Sequence, residues 1–222
     1  MNYSSFIKSL VKIKDLDLSD EIIDNKMNFS SRIKELIELN NKKINYRKSS
    51  VLILVYPSKD QIPKIALLQR SQNLEFHPGQ ICFPGGKYQN TDQTNLNTAL
   101  RETNEEIGIP INKIKYIKKL TKIYIPPSKF EVYPFLAYMN ETPNFIIDKK
   151  EVDVVIEFPI SFLLYDNSKK KIRIKNDSNE IINCYKYGDK IIWGATAIIL
   201  YELEFLIKKI FNKNYLWYDE NN

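Results

Sequence analysis

Three glutamates, Glu102, Glu105 and Glu106, lie within five residues of one another in a chain whose formal net charge is +6. If the segment is helical, Glu102 lies about one turn from both of the others, and like charges at that spacing repel by roughly 0.2–0.5 kcal/mol. They also lie near the predicted end of the helix, where its dipole disfavours anions. Folding alone would not select this arrangement. A bound Mg²⁺, which takes carboxylate and phosphate oxygens as ligands, would explain it.

The helix that would carry these carboxylates is predicted over residues 93–107. Its apolar residues share one face, which would pack on the core, and the three glutamates are predicted on the opposite side. Gly108 follows at the position where a helix end favours a left-handed residue, and Pro110 prevents the helix from continuing. The predicted core face consists of Leu96, Ala99, Leu100, Thr103 and Ile107.

A solvated acidic face paired with nearby lysines is the plainer interpretation of the same glutamates, since short acidic patterns are common. Asp92, just before the helix, could cap its N-terminus or reach a metal ion through water. Arg101 could be a surface cation or an ion-pair partner that orients a carboxylate. The residues around the glutamates decide which interpretation is favoured.

The stretch RETNEEIGI (101–109), together with the upstream pair Gly85 and Gly86, resembles the box of the Nudix hydrolases. These enzymes cleave nucleoside diphosphates linked to another moiety, and their box forms a strand, a loop and a helix. Asp92 stands where the first glutamate of the box is usual, and one extra residue follows it. Thr103 occupies a position that is usually bulky and apolar. The resemblance nevertheless favours a metal site over an acidic surface.

Upstream of the box, ALLQRSQNLEFHPGQICFPGG (66–86) resembles the additional signature of the coenzyme A pyrophosphatase subgroup. Leu68 stands where threonine is usual, and Glu75 stands where arginine is usual. The Glu75 departure reverses a charge near the expected phosphate-rich ligand, so it bears on the substrate more than on the reaction. The positions that match this subgroup are Arg70, Ser71, His77, Gly79 and Gln80.

The resemblance implies a set of site residues and a cofactor. The metal ligands would be Glu102, Glu105 and Glu106. The catalytic residues would be those three glutamates with Arg101 and with Glu151, the last as a general base on a late loop. The substrate-binding residues would be Arg70, Ser71, His77, Gly85 and Gly86. With Mg²⁺ or Mn²⁺, coenzyme A or a derivative would give 3′,5′-ADP and 4′-phosphopantetheine or its acyl form.

The elements that would position these residues are a mixture of strands and helices. Strands are predicted at 51–57, 64–71, 114–125, 131–139 and 151–160, and a further hairpin over 170–187. ICFP predicts a short strand that the Gly85-Gly86 pair breaks, and residues 196–211 predict an amphipathic helix. We therefore expect an α/β fold, a Nudix-type α/β/α sandwich with a mixed sheet and with N- and C-terminal helical additions.

The chain is expected to have one main domain. Its 222 residues are 43% hydrophobic, which is enough for one sizeable core, and no long linker divides it. Helices predicted at 3–14 and 28–41 would form an N-terminal helical extension over residues 1–45. The Nudix hydrolase domain is predicted over residues 46–222.

Composition narrows the partners and the location. The net charge of +6 suits phosphorylated ligands, but no arginine-rich cluster or RNA-binding signature favours nucleic acid. No apolar run approaches the roughly 18 residues that span a membrane. Two cysteines form no disulfide framework, and the charged N-terminus does not resemble a signal peptide, so a cytoplasmic location is expected. The oligomeric state stays open, a homodimer included.

Other functions remain open at this point. A Nudix enzyme could act on another nucleoside diphosphate derivative, such as a nucleotide sugar or a dinucleoside polyphosphate. A Nudix fold could also bind a nucleotide without turnover, although such a module would not need three repelling carboxylates. An RNA-processing pyrophosphatase has only the net charge of +6 in its favour.

Overall fold

A computed structural model of the protein describes residues 2–16, 46–74, 77–125, 128–165, 168–173 and 181–211. The strands are β1 (Arg47–Pro57), β2 (Pro63–Arg70), β3 (Ile81–Cys82), β4 (Gly85–Lys87), β5 (Lys115–Lys119), β6 (Ile123–Ile125), β7 (Phe130–Tyr138), β8 (Val152–Pro159), β9 (Lys169–Arg173), β10 (Ile181–Tyr187) and β11 (Lys190–Ile192). The α-helices are α1 (Tyr3–Leu10), α2 (Asn95–Ile107), α3 (Ile160–Leu164) and α4 (Gly194–Ile210).

Strands β1 to β8 form one mixed sheet, which confirms the predicted sheet type. Its order is β3-β2-β1-β7-β5, with β4 beside β1, β6 beside β7 and β8 beside β2. Strands β1 and β7 run parallel, from Arg47 opposite Phe130 to Val55 opposite Tyr138. The predicted hairpin of β1 and β2 is antiparallel, and β9, β10 and β11 form a separate small antiparallel sheet.

Two hydrophobic cores cover the two faces of the large sheet, as an α/β/α sandwich requires. Alternate residues of β1 point to opposite faces. Ile53 and Val55 join the core that contains α1, α3 and α4. Leu52 and Leu54 join the core that contains α2. The continuous apolar run of β1 is therefore explained by burial on both sides.

The acidic helix α2 forms near its predicted limits because both ends are capped. Thr94 is the N-cap, and its hydroxyl accepts a hydrogen bond from the Asn97 N–H at 3.1 Å. Gly108 ends the helix with a φ of 71°, a left-handed conformation that glycine adopts at little cost. The alternative in which Asp92 caps this helix is therefore wrong.

The first predicted helix packs into the core instead of standing apart from it. Tyr3 donates hydrogen bonds to the backbone carbonyls of Val55 and Met139. The ring of Phe6 stacks on that of Phe211 at 5.5 Å, which joins α1 to the end of α4. The helix predicted at 28–41 lies outside the described residues, and the domain boundary at residue 45 stays a prediction.

Two strand predictions are wrong in detail. The run predicted as one strand over 114–125 forms two strands, β5 and β6, both of which pair with β7. Gly85 and Gly86 do not end a strand but belong to one, since β4 pairs antiparallel with β1. Glycine has a low intrinsic preference for strands, so only the long-range pairing reveals this strand.

The buried carboxylate of Glu204 on α4 attaches the small sheet to the rest of the molecule. Glu204 is 3% exposed and accepts hydrogen bonds from Lys169 at 2.7 Å, Lys208 at 2.8 Å and the Tyr185 hydroxyl at 2.7 Å. Because β9 and β10 supply two of these donors, the network fixes both strands against α4.

No α-helix in the described part of the chain is both long enough and apolar enough to cross a membrane.

Candidate active site

The glycine strand β4 is the base on which the acidic helix rests. Gly85 has a φ of 150°, and a side chain added there would place Cβ 2.2 Å from the Ser50 carbonyl oxygen. A Cβ added at Gly86 would lie 2.4 Å from the carboxyl carbon of Glu102. The missing side chains thus let the strand approach β1 and let α2 bring its carboxylates close to the backbone.

Glu106 is buried, which corrects the prediction that all three glutamates lie opposite the core face. It is 2% exposed, and its Oε2 accepts a hydrogen bond from the Gly85 N–H at 2.8 Å. Glu106 lies seven positions after the core residue Ala99, almost two full turns, so both point to nearly the same side of α2. Glu106 therefore lies at the edge of the core face, directly against β4.

Arg101 forms ion pairs with the acidic residues of the box other than Glu106. Its guanidinium lies 2.7 Å from Asp92 Oδ1, 2.8 Å from Glu102 Oε1 and 2.7 Å from Glu105 Oε2. It also donates to the Lys87 carbonyl at 3.1 Å. The planar guanidinium can serve several carboxylates at once, so Arg101 offsets much of the repulsion expected from the sequence.

Asp92 holds Arg101 in place from the turn before α2. It is 5% exposed and accepts hydrogen bonds from the Gln89 N–H, the Thr98 hydroxyl and Arg101. The hydrogen bond from Arg101 is the main reason why the pKa of Asp92 falls to about 2. Asp92, which stands where a glutamate of the box is usual, thus makes an ion pair with Arg101.

The Asp92→Asn variant is expected to lose about 1–2 kcal/mol of unfolding free energy at neutral pH, since its ion pair and charged acceptor are lost. A lowered native pKa contributes stability that is present above the unfolded pKa near 3.8 and is lost as the pH falls towards about 2. The gap between variant and wild type should therefore narrow below about pH 4. Urea unfolding from neutral to acidic pH measures it, and a gap independent of pH would contradict this role.

Arg70, Ser71 and Glu151 reach the same region from β2 and from the turn before β8. The Ser71 N–H donates to the Glu151 carbonyl at 2.9 Å, because β2 and β8 are paired at this end. The positive charge of Arg70 lowers the pKa of Glu106, and the negative charge of Glu151 raises it. The Arg70 Nε is buried and has no hydrogen-bond partner within the described residues. The residue as a whole is half-buried, so Arg70 is not fully enclosed.

The carboxylates fit a divalent cation by their chemistry, although they are not arranged around one. Burial raises the pKa of Glu106 to about 8, and the charges of Glu102 and Glu151 add to this effect. Burial also raises the pKa of Glu102. Within the described ranges no three acidic, histidine or cysteine side chains already form a metal shell, because Glu102 and Glu105 turn towards Arg101. Carboxylate oxygens are the ligands that Mg²⁺ and Mn²⁺ prefer, and a bound cation would offset the charge of these buried, neighbouring carboxylates.

Not every residue predicted for the site joins it. His77 lies in an exposed loop with a φ of 57°, and among the described residues it makes no hydrogen bond or ion pair with the carboxylates. The Ser71 hydroxyl accepts a hydrogen bond from the Asn73 N–H at 3.3 Å, so it serves a local turn. Cys82 was not predicted to lie near the site. Burial raises the pKa of its thiol to about 12; the charge of Glu106 raises this pKa further, and the charge of Arg70 lowers it.

A mixed sheet between helical layers, with a carboxylate helix seated on a glycine strand, is the architecture of the Nudix fold. A solved MutT/nudix family protein from Enterococcus faecalis shares it, with a TM-score of 0.51 at 16% sequence identity, over 89% of this chain and 81% of that chain. The chain itself belongs to the Nudix hydrolase family, since residues 46–183 match the NUDIX domain.

Curated relatives carry the same family name. A probable nudix hydrolase, C6G9.05 of Schizosaccharomyces pombe, is 34% identical over 156 residues, which is 69% of this chain. The match spans about half of that relative, 54% of its length. The uncharacterized Nudix hydrolase NudL of Escherichia coli K12 is 30% identical over 172 residues, 75% of this chain and 85% of NudL.

Proposed function

We propose that the protein hydrolyses the diphosphate bond of coenzyme A or its derivatives, giving 3′,5′-ADP and 4′-phosphopantetheine or its acyl form. The observation that carries the proposal is that the charge of the signature residue Arg70 lowers the pKa of the box carboxylate Glu106. The coenzyme A signature and the Nudix box would thus contribute to one site. The two cysteines are free thiols, which supports the reducing cytoplasm as the location.

The carboxylates Glu102, Glu105 and Glu106 would hold Mg²⁺ or Mn²⁺. A divalent cation neutralises diphosphate charge and lowers the pKa of a water molecule. Arg101 binds one oxygen of Glu102 and one of Glu105, so the other oxygen of each carboxylate would face the cation.

Three further groups would act directly on substrate and water. The guanidinium of Arg70, a half-buried residue, would donate to a phosphate oxygen. The exposed carboxylate of Glu151 would accept the proton of the attacking water. The water oxygen then bonds to one phosphorus as the bridging P–O bond breaks, and the electron pair stays on the departing phosphate. The backbone of Gly85 and Gly86 would lie beside the diphosphate, since the missing side chain of Gly86 makes room for the Glu102 carboxylate.

Coenzyme A is expected to be cleaved only when a divalent metal is added, and faster than dephospho-coenzyme A or NADH. The expected preference follows from the signature at 66–86. Values of kcat/KM for the three compounds, with Mg²⁺ and with a chelator, measure it. A higher kcat/KM for NADH or a nucleotide sugar would replace the proposed substrate while the reaction class remained.

The Arg70→Ala variant is expected to weaken kcat/KM for coenzyme A by on the order of 1.5–3 kcal/mol, since a charge-assisted phosphate contact is lost. The kcat/KM of Arg70→Lys should lie between those of Arg70→Ala and wild type, because lysine keeps the positive charge but lacks the planar guanidinium that donates two hydrogen bonds. Arg47→Ala is the matched control: Arg47 lies on the same sheet but stacks on Phe130, 4.5 Å from its centroid. An unchanged kcat/KM in Arg70→Ala would make Arg70 a structural cation.

A further inference from the structure

Ser50, in the first half of β1, is a buried serine whose hydroxyl has no partner in the described part of the chain. The residue is fully buried, and its Oγ makes no hydrogen bond there. Burying a hydroxyl without a partner destabilises a fold, so buried polar groups are nearly always hydrogen-bonded. An alanine at this position would avoid that cost. The hydroxyl therefore needs a reason other than the stability of β1.

The side chain of Ser50 points to the face of the large sheet that carries the carboxylates. Strand β1 pairs with β7 without a register shift, so the alternation of its side chains is unbroken. Ser50 therefore lies on the same face as Leu52 and Leu54, which join the core that contains α2. The preceding residue, Ser49, points to the opposite face.

Gly86 brings the Glu102 carboxylate to the position beside Ser50. Gly86 is directly opposite Ser50 in the antiparallel pair of β4 and β1. Opposite residues of such a pair point to the same face, with Cβ positions about 4.5–5.5 Å apart. The Oε2 of Glu102 lies 2.4 Å from the position that a Cβ would occupy at Gly86. These spacings separate the Ser50 hydroxyl from Glu102 Oε2 by about one water molecule.

Glu102 can accept a further hydrogen bond at this oxygen. Its side chain is 12% exposed, and its Oε1 lies 2.8 Å from Arg101. A carboxylate oxygen has two lone pairs, so Oε2 can face a cation with one and accept a hydrogen bond with the other. Carboxylates that bind metal ions are themselves hydrogen-bonded, and these outer contacts fix their orientation. The Ser50 hydroxyl is a suitable donor because no described residue competes for it.

We propose that Ser50 is a positioning residue of the cation site: its hydroxyl donates a hydrogen bond to Glu102, directly or through one water molecule, when this carboxylate holds Mg²⁺ or Mn²⁺. Glu102 is then held at Oε1 by Arg101 and at Oε2 by Ser50. This inference rests on the proposed function for the presence of a cation, but it does not depend on which diphosphate is cleaved.

The test removes this hydroxyl and, as a matched control, the hydroxyl next to it. Ser50→Ala and Ser49→Ala are the same chemical change at adjacent positions of β1, on opposite faces of the sheet. Ser50→Thr keeps a hydroxyl, and β-branched residues suit a strand. Mn²⁺ is the probe: its affinity is measured without substrate by electron paramagnetic resonance of the free ion. Thermal melting gives the Tm of each metal-free variant.

Ser50→Ala should weaken Mn²⁺ binding by about 10–100-fold, the loss that is typical when an outer hydrogen bond to a metal ligand is removed. Its metal-free Tm should equal or exceed that of wild type, because alanine leaves no buried hydroxyl without a partner. Ser49→Ala and Ser50→Thr should bind Mn²⁺ as wild type does.

An unchanged Mn²⁺ affinity in Ser50→Ala would overturn the inference and leave the proposed function standing. Equal losses of affinity in Ser50→Ala and Ser50→Thr would overturn it too, because the size of the side chain would then matter and not its hydroxyl. A large fall in the metal-free Tm of Ser50→Ala would show that the hydroxyl serves the fold instead. If wild type binds neither Mn²⁺ nor Mg²⁺, the proposed metal-dependent reaction fails, and the inference fails with it.

Discussion

The Glu106→Gln variant is expected to lose at least ~10²-fold in turnover, because the activating cation loses a ligand. Its metal-free form is expected to be more stable than wild type by on the order of 1–3 kcal/mol at about pH 8, because burial of this carboxylate disfavours its charge. The amide oxygen of glutamine can still accept the hydrogen bond from the Gly85 N–H. The same change would thus stabilise the fold and abolish most of the activity.

Glu105→Gln is the matched control for the stability effect. The Glu105 side chain is 56% exposed and pairs with Arg101, so its neutralisation should change the metal-free stability by less than about 1 kcal/mol. Both variants should lose most of the rise in Tm that Mg²⁺ causes in wild type, since binding to the native state is what produces it. Full activity in Glu106→Gln would refute a catalytic role for this helix, and a large loss of metal-free stability would refute the account of its burial.

The Gly85→Ala variant is expected to lose more than about 3 kcal/mol of unfolding free energy, or not to fold at all. Its Cβ would lie 2.2 Å from the Ser50 carbonyl oxygen and 2.6 Å from the Val51 Cα. These are backbone atoms of the paired strand β1, which cannot move away without breaking the ladder. The φ of 150° adds strain for any residue other than glycine.

Gly86→Ala distinguishes the two functions of the glycine pair. The atoms that its Cβ would meet belong to the flexible Glu102 side chain, the nearest at 2.4 Å. The carboxylate can shift, so the variant should fold with a Tm near that of wild type but with strongly reduced turnover. Thermal melting and metal-dependent rates for both variants measure the difference. Equal loss of stability in the two variants, or full activity in Gly86→Ala, would contradict this division.

The local elements of the fold could be predicted because each depends on nearby residues. The helix α2 ends at Gly108 as its sequence predicts, and the hairpin of β1 and β2 follows from two apolar runs separated by a turn. The fold class and the family followed from the residues of the box. These features need only local periodicity, caps and motif spacing.

The features that could not be predicted depend on pairing between distant segments. The strand β4 exists because Gly85 and Gly86 pair with β1, some 35 residues earlier in the sequence. The run after residue 114 divides because β5 and β6 pair with different parts of β7. Neither pairing leaves a trace in local propensity, since tertiary contacts override it.

The candidate site shows the same contrast between motif and position. The sequence brings Glu102, Glu105 and Glu106 onto one helix, and the contact with β4 then shows that Glu106 is buried while Glu105 is exposed. A helical projection that placed Glu106 beside Ala99 would have indicated this burial. For His77 no such signal exists, because the conformation of its loop is not periodic.

The most direct test of the proposed activity is the identity of the products formed from coenzyme A. Wild-type protein is incubated with coenzyme A in ¹⁸O-labelled water, with Mg²⁺ or with a chelator, and the products are resolved by mass spectrometry. The account predicts 3′,5′-ADP and 4′-phosphopantetheine in equal amounts, with one ¹⁸O in one of the two, and neither product with the chelator. Intact coenzyme A in the presence of Mg²⁺, under conditions in which the protein cleaves another nucleoside diphosphate derivative, would contradict it.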